Sequence, residues 1–222
     1  MGQKVHPISF RTGVVYTWKS KWFSARNYTA LLASDIKIRK WLKSKLRGSA
    51  VDKVEIERSP TAVNVIIHTA KPGLIIGRGG AQVEELKKEI KKRFLKPNEN
   101  LQLNIQEVGK GGLSANVVAE SMALEIEKRM PFRRVMKQAM DQVMKAGGLG
   151  VKVQVAGRLN GAEIARTETL ALGKVPLQTL RAEVDYARTA ARTTYGNIGI
   201  KVWINKGEVF NSKADGGTPA VA

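Results

Sequence analysis

Cysteine is missing from this chain of 222 residues, and histidine occurs only twice, as His6 and His68. The lack of cysteine excludes disulfide bonds and thiolate ligands for a metal. Two separated histidines do not supply the three or four ligands that a protein zinc site normally needs. We therefore predict that the protein uses no metal and no other cofactor.

The motifs of common enzyme classes are also absent. The sequence contains no G-x-x-x-x-G-K-[ST] phosphate loop, no G-x-G-x-x-G dinucleotide fingerprint and no G-x-S-x-G nucleophile elbow. No apolar run approaches the roughly 18 residues of a membrane-spanning helix. Polar and basic residues, among them Lys4, His6 and Arg11, stand where a secretory signal would be apolar. These absences predict a cytoplasmic protein that is not an enzyme.

Acidic residues are scarce: 38 lysines and arginines face 19 aspartates and glutamates, which gives a net charge of +19. Between residues 1 and 49, Asp35 is the only acid. Such an excess repels itself, so it predicts a polyanionic partner, with nucleic acid favoured over an anionic membrane surface. Trp18, Trp22 and Phe23 lie among the lysines of this stretch, a pattern that can suit RNA binding. For the individual rings the favoured interpretation is that they anchor the core, whereas the charge bias as a whole favours RNA.

Hydrophobic periodicity in the first half predicts the order helix, strand, strand, short helix, glycine loop, helix, strand. The first helix spans residues 29–46, and the strands include residues 54–57, 62–68 and 101–106. The helix after the glycine loop carries an apolar stripe at Val83, Leu86, Ile90 and Phe94. This order indicates a domain of mixed α and β structure.

The second half begins with two predicted helices, one from Ser114 to Arg129 and one after Pro131 that reaches Ala146. Strands follow, with a hairpin expected at Gly196-Asn197. The predicted organisation is a basic N-terminal extension (1–16), an RNA-binding domain (17–108), a linker (109–113), a C-terminal domain (114–208) and a disordered tail (209–222).

The loop Gly77-Arg78-Gly79-Gly80 lies between a short apolar turn and an amphipathic helix. Glycines allow close approach of the backbone to a phosphate, and a helix N-terminus adds unpaired amides. A tight turn before a helix would explain the glycines without any ligand. The surrounding order of elements instead favours the G-x-x-G loop with which KH domains clamp backbone nucleotides, in the type II arrangement.

Arg133 and Arg134 occupy the first turn of the helix after Pro131, where cations oppose the helix dipole. Lys137 lies one turn further along the same face, and no acid occurs in that first turn. A phosphate partner would relieve the repulsion, whereas a solvated basic face would need no partner. The residues alone leave these two interpretations open.

The chain resembles the family of bacterial small-subunit ribosomal protein three along nearly its whole length. The resemblance is carried by the start at residues 1–7, by residues 68–73 before the glycine loop, and by Phe132-Arg133-Arg134. It continues through residues 157–168, 193–196 and 200–204. Gln138 departs from the family pattern, where many members have a further basic residue, and Arg78 is alone where many loops have two.

The resemblance implies an α+β fold with two domains. The first is a type II KH domain, a three-stranded mixed sheet with helices on one face. The second has two helices packed on a mainly antiparallel sheet. The family also implies a place on the head of the small ribosomal subunit, with 16S ribosomal RNA and ribosomal proteins ten and fourteen as partners. Proteins four and five would lie near the tunnel through which messenger RNA enters.

In this family, basic residues of the second domain line that tunnel and help to unwind structured messages. The matching positions are Arg133, Arg134 and Lys137. Further candidate contacts with ribosomal RNA are Lys4, His6, Arg11, Lys19, Lys21, Arg158, Arg166, Lys174 and Arg181. The alternative function is a free-standing KH-type factor that assists assembly or regulation.

Overall fold

The computed structural model describes residues 4–95 and 99–210. Met1 to Gln3 of the predicted extension, and all of the predicted disordered tail beyond Phe210, lie outside the described residues. In the first half, the helices and strands in chain order are α1 (Pro7–Phe10), β1 (Ser20–Lys21), α2 (Tyr28–Lys45), β2 (Val51–Arg58), β3 (Ala62–Thr69), α3 (Pro72–Ile76), α4 (Ala81–Phe94) and β4 (Asn100–Glu107).

These strands form one mixed sheet in the order β1-β2-β3-β4. The pair β2–β3 is antiparallel, and the pair β3–β4 is parallel. The core is made where alternate residues of the strands meet α2 and α4: Val65 and Ile67 of β3 are fully buried, as are Ile38 and Ile90 of the helices. Because side chains of a strand alternate between the two faces of the sheet, every second residue of β3 points toward the helices. The helices therefore cover one face of the sheet.

The second half contains α5 (Ala115–Glu127), α6 (Phe132–Lys145), β5 (Gly150–Gly157), β6 (Arg166–Gly173), β7 (Ala182–Thr193) and β8 (Gly196–Glu208). All pairs of its sheet are antiparallel, in the order β6-β5-β8-β7. Helices α5 and α6 pack on the sheet through Met122, Val135 and Met136, each at most 1% exposed. The predicted α+β fold, with helices on one face of a mixed sheet and two helices on an antiparallel sheet, is confirmed.

Polar contacts join the two halves between the start of α5 and the start of β2. The Ser114 hydroxyl caps α5 by accepting from the Val117 N–H, and it also donates to Asp52 Oδ1 at 2.5 Å. Asn116 donates to the Asp52 carbonyl oxygen at 2.9 Å. The Gly48 N–H donates to Glu120 Oε1 at 2.6 Å. The N-cap that the sequence predicts therefore also fixes the junction.

Three local details differ from the prediction. The two-residue strand Ser20–Lys21 adds a parallel edge to the predicted three-stranded sheet, and it is too short to give a periodic signal. The hairpin turn lies at Thr194-Tyr195, because Thr193 pairs with Gly196. The predicted linker contains a 3₁₀ turn at Gly111–Leu113. Among the described residues, no helix combines the length and apolarity needed to cross a membrane.

Candidate nucleic-acid interface

The glycine loop connects α3 to α4 through backbone that only glycine adopts easily. Gly77, Gly79 and Gly80 have φ values of +70°, +61° and +78°, in the left-handed region. At Gly77, an added Cβ would lie 2.8 Å from the Gln82 Cγ atom, so a side chain there would also collide. The sequence predicted the loop, and these two constraints explain why glycine is needed at its first position.

The outer part of this loop is open. A Cβ added at Gly79 or at Gly80 would meet no atom within 4 Å. The Arg78 side chain is exposed, and it forms no ion pair within residues 4–95 and 99–210. Glycines with free space above them, a cation and the first turn of the 14-residue helix α4 form a surface that suits a phosphate backbone.

Helix α6 is strongly amphipathic. Phe132, Val135, Met136, Ala139 and Val143 are buried in the second core. The cations lie on the opposite, exposed face, and the first turn contains no acid, as predicted. They border an open groove whose lining comprises Pro131, Arg133, Arg134, Lys137, Gln138, Asp141, Gln142 and Lys145.

An acid that is distant in sequence compensates one of these cations. Arg133 donates from Nε and from a terminal nitrogen to the two carboxylate oxygens of Glu168 on β6, both at 3.1 Å. This pair raises the pKa of Arg133 and lowers the pKa of Glu168. Arg134 and Lys137 have no such partner within the described ranges. Local sequence could not reveal this difference, because β6 meets α6 only through the tertiary fold.

Arg11 has a different role from the RNA contact that its charge suggested. Its side chain is fully buried. The guanidinium donates to the carbonyl oxygens of Pro7, Pro176, Leu177 and Thr179 at 2.9–3.1 Å. It therefore fastens α1 to the segment before β7, and it drops out of the set of RNA contacts proposed for this chain. The sequence carried no signal for this, since three of the four carbonyl partners lie more than 160 residues away.

The other basic residues near the N-terminus are in mixed environments. Lys21 pairs with Glu57 at 3.4 Å and with Glu55 at 3.6 Å, so much of its charge is already compensated. Partial desolvation lowers the pKa of Lys19, which nevertheless remains exposed. His6 accepts from the Ser9 N–H at 3.4 Å, which caps α1, and desolvation lowers its pKa too. Lys4 is exposed.

The candidate cations of the second half also differ in whether a carboxylate compensates their charge. Arg166 pairs with Glu168 at 3.3 Å, and Arg181 pairs with Glu208 at 2.8 Å. Arg158 donates to the Ala162 carbonyl oxygen at 2.9 Å, and the Lys174 side chain is exposed. Arg166 and Arg181 are therefore less available to a phosphate than Arg158 and Lys174, because a carboxylate already compensates their charge.

Sequence reasoning missed a basic and aromatic surface on the outer face of the second sheet. Register places Lys152 opposite Trp203, and Arg188 opposite Lys201. The Lys152 ammonium lies 5.6 Å from the centre of the Trp203 ring. The polar members of the alternating patterns in β5 and β8 were visible in the sequence. Only the pairing of the strands shows that they form one surface.

The chain matches two family models. Residues 37–113 match the model described as KH domain, and residues 122–204 match the model described as ribosomal protein S3, C-terminal domain. The protein named small ribosomal subunit protein uS3 of Syntrophomonas wolfei is 52% identical over 210 residues, 95% of this chain and 91% of its own length. Its namesakes of Bacillus cytotoxicus and Desulfitobacterium hafniense are 51% identical over 213 residues, 96% of both chains in each case.

The chain belongs to the ribosomal protein S3 family. This membership confirms the family resemblance that the sequence motifs indicated. It also supports the prediction that the chain is not an enzyme, because the S3 family is a structural one. Both halves of this S3 chain contribute a basic surface next to a helix N-terminus, at α4 in the first domain and at α6 in the second.

Proposed function

We propose that this S3-family chain is a constituent of the small ribosomal subunit, in the cytoplasm, where it binds 16S ribosomal RNA and holds incoming messenger RNA. Its relatives carry the name of a small ribosomal subunit protein. Proteins ten and fourteen are its proposed neighbours, with proteins four and five near the tunnel. The glycine loop around Arg78 serves as one phosphate contact of the first domain.

The observation that carries the messenger RNA role is the exposed pair Arg134 and Lys137 on a helix that cannot move easily. The buried stripe of α6, with Val135 and Met136 fully inside, fixes the helix on the sheet. Cations on a rigid element can hold a single strand by charge without first ordering the backbone that carries them. Movement of the message by the ribosome would supply the work of unwinding, because holding the separated strand only prevents it from pairing again.

The test uses small subunits assembled with the variant Arg134→Ala/Lys137→Ala. Translation through a message with a stable hairpin should slow more than translation through an unstructured message. A matched control, Lys91→Ala/Lys92→Ala, removes the same charge from exposed positions of α4. Equal slowing on the two messages, or equal effects of the two variants, would contradict the proposed role.

Sedimentation tests the placement on the subunit separately. A constituent of the small subunit should remain with it through a wash at moderate salt. A free-standing RNA-binding factor should be released by that wash, since its contacts with RNA are mainly ionic. Quantitative release of the chain from assembled subunits would therefore contradict the structural part of the proposal.

A further inference from the structure

A second groove, with a volume of about 500 Å³, lies beside the basic face of α6. It is lined by the end of α5, the start of α6, the loop after β5 and the β7–β8 turn. Pro131 borders both this groove and the one next to Arg134. The two grooves are therefore neighbours on one surface.

Arginine dominates the charge of this second groove. Arg129, Arg158 and Arg192 all line it, and within the described ranges none of the three forms an ion pair. Among the described residues, Glu127 is the only acid in the lining. Its Oε1 atom already accepts from the Arg47 guanidinium and, at 2.7 Å, from the Arg192 backbone N–H. The groove thus offers positive charge that the protein itself leaves available.

One aromatic ring is held in this groove without being buried. Tyr195 at the hairpin turn keeps 58% of its surface exposed. The Arg158 guanidinium lies 5.7 Å from the ring centre. Gly161 has φ +80°, and a Cβ there would lie 3.0 Å from Cε2 of the ring, so the absence of a side chain makes room for it. The ring is positioned by its neighbours and still available to a ligand.

Two residues with left-handed backbone lie at the same place. In the described part of the chain, three residues other than glycine have positive φ, and two of them, Arg129 at +63° and Asn160 at +56°, line this groove. A side chain in the left-handed region is unfavourable and persists only where its surroundings impose it. At Arg129 this conformation ends α5, because the Arg129 N–H donates to the Ile126 carbonyl oxygen and the Met130 N–H donates to that of Glu125. The end of the helix thereby places Arg129 in the lining of the groove with the other cations.

We propose that this groove binds a nucleotide of single-stranded RNA, with its base stacked on Tyr195 and its flanking phosphates on Arg129 and Arg192. The inference rests on the proposed function, because the nucleotide would belong to the strand that Arg134 and Lys137 hold. The volume is in the range of small-ligand sites, and it suits one nucleotide. An acidic peptide would satisfy the arginines, but the exposed ring favours a base, since every base offers a flat face.

The first test measures binding of a fluorescently labelled oligouridylate of about twelve nucleotides to the full chain by anisotropy, a length that spans both grooves at single-strand site sizes. Tyr195→Ala should weaken binding by about fivefold or more. Fivefold is the lower end of the range expected when one base loses its stacking partner. Tyr195→Phe keeps the ring and should bind like the unsubstituted chain. Unchanged affinity of Tyr195→Ala would overturn the proposal.

The second variant, Arg129→Gly, separates binding from folding. Glycine adopts φ +63° without strain, so the melting temperature should be unchanged or higher. The affinity should nevertheless fall, and the slope of log affinity against log salt should become shallower by about 0.7, because one phosphate is no longer neutralised. A stable variant with the affinity and salt slope of the unsubstituted chain would overturn the assignment of Arg129.

The variant Arg134→Ala/Lys137→Ala distinguishes failure of this inference from failure of the proposed function. If that variant loses affinity for RNA and Tyr195→Ala does not, the proposal that the second groove binds a nucleotide is wrong. The proposal that the α6 surface binds RNA is then still supported. In translating ribosomes, a photoreactive residue introduced as Tyr195→benzoylphenylalanine should cross-link to messenger RNA. Cross-linking only to a neighbouring protein would overturn RNA as the occupant.

Discussion

Arg133 and Glu168 face each other in a two-point ion pair, with both donor–acceptor distances at 3.1 Å. Arg133 lies in the first turn of α6 and Glu168 lies in β6, so the pair joins a helix to the edge strand of the second sheet. The acid offsets one cation in a helix turn that has none of its own. Of the three cations proposed to bind messenger RNA, Arg133 is therefore the one whose charge the protein itself already compensates.

Removing that acid should strengthen RNA binding. In Glu168→Gln, Arg133 loses its carboxylate partner and can pair with a phosphate, so affinity for single-stranded RNA should rise. The salt slope should steepen by about 0.7, the value for one further phosphate neutralised. Fluorescence anisotropy at several salt concentrations measures both quantities.

The matched control for this prediction is Glu163→Gln, which removes the same charge from an exposed acid in the loop before β6. It should change affinity less, because Glu163 has no ion pair within the described residues. In the double variant Glu168→Gln/Arg133→Ala the gain should disappear. A gain that survives without Arg133 would assign the effect to Arg166, which also pairs with Glu168 at 3.3 Å, or to net charge.

Removing one partner of the buried ion pair of Asp35 and Arg58 should strongly destabilise the first domain. Asp35 is fully buried, and its Oδ1 accepts two bonds from Arg58 at 2.7 and 2.8 Å. Its Oδ2 accepts from Ser20 and from the Trp22 ring nitrogen, both at 2.8 Å. Asp35→Ala leaves the buried Arg58 with only its longer ion pair to Glu99 at 3.9 Å, which should lower the free energy of unfolding by about 3–5 kcal/mol. Chemical denaturation followed by Trp fluorescence measures this change.

A paired substitution controls for the charge itself. In Asp35→Leu/Arg58→Met both charges are replaced by apolar side chains, so most of the lost stability should return. If the double variant were as unstable as Asp35→Ala, the cost would come from the lost bonds of Ser20 and Trp22 instead of from the guanidinium left without Asp35.

Arg11 should matter for stability and not for RNA. Arg11→Lys keeps the charge but loses the planar donor group that reaches four carbonyl oxygens. We expect a loss of about 2–3 kcal/mol, the range for removing a charged hydrogen-bond network of this kind, measured by thermal or chemical unfolding. RNA affinity of the folded variant should be unchanged. A lower affinity at equal folded fraction would restore Arg11 as an RNA contact.

Asp185 should make stability depend on pH in an unusual direction. Burial raises its pKa, although it accepts the Ala115 and Tyr186 N–H groups at 2.8 Å. The native state therefore binds this proton more tightly than the unfolded state, in which the pKa is near 3.8. The stability that Asp185 contributes through this proton is fully present below the unfolded-state pKa. It is lost as the pH rises through the higher pKa of the folded state.

The measurement compares the unsubstituted chain with Asp185→Asn across this range. The free energy of unfolding of the unsubstituted chain, relative to that of Asp185→Asn, should increase as the pH falls from neutral toward about 4. Other acids cancel in this difference because both chains contain them. A relative stability that decreases on acidification would mean that the bonds from Ala115 and Tyr186 outweigh burial.

Local patterns were sufficient for most of the fold. The apolar stripe of α4, the alternation of β3 and the Ser114 cap each follow from neighbours a few residues apart, and the structure shows all three. The two-residue strand at Ser20–Lys21 was missed because its partner in β2 is far along the chain. The glycine loop was recognised, whereas the collision of a Cβ at Gly77 with Gln82 needed coordinates.

The sequence by itself determined the charge excess, the two helix faces and the family motifs, since these depend only on which residues occur and at what spacing. The tertiary structure decided which cations remain available. It buried Arg11 among carbonyl oxygens, paired Arg133 with Glu168, and left Arg134 and Lys137 exposed. The physical reason is that compensation of a charge depends on distance in space, which only the packing of strands and helices establishes.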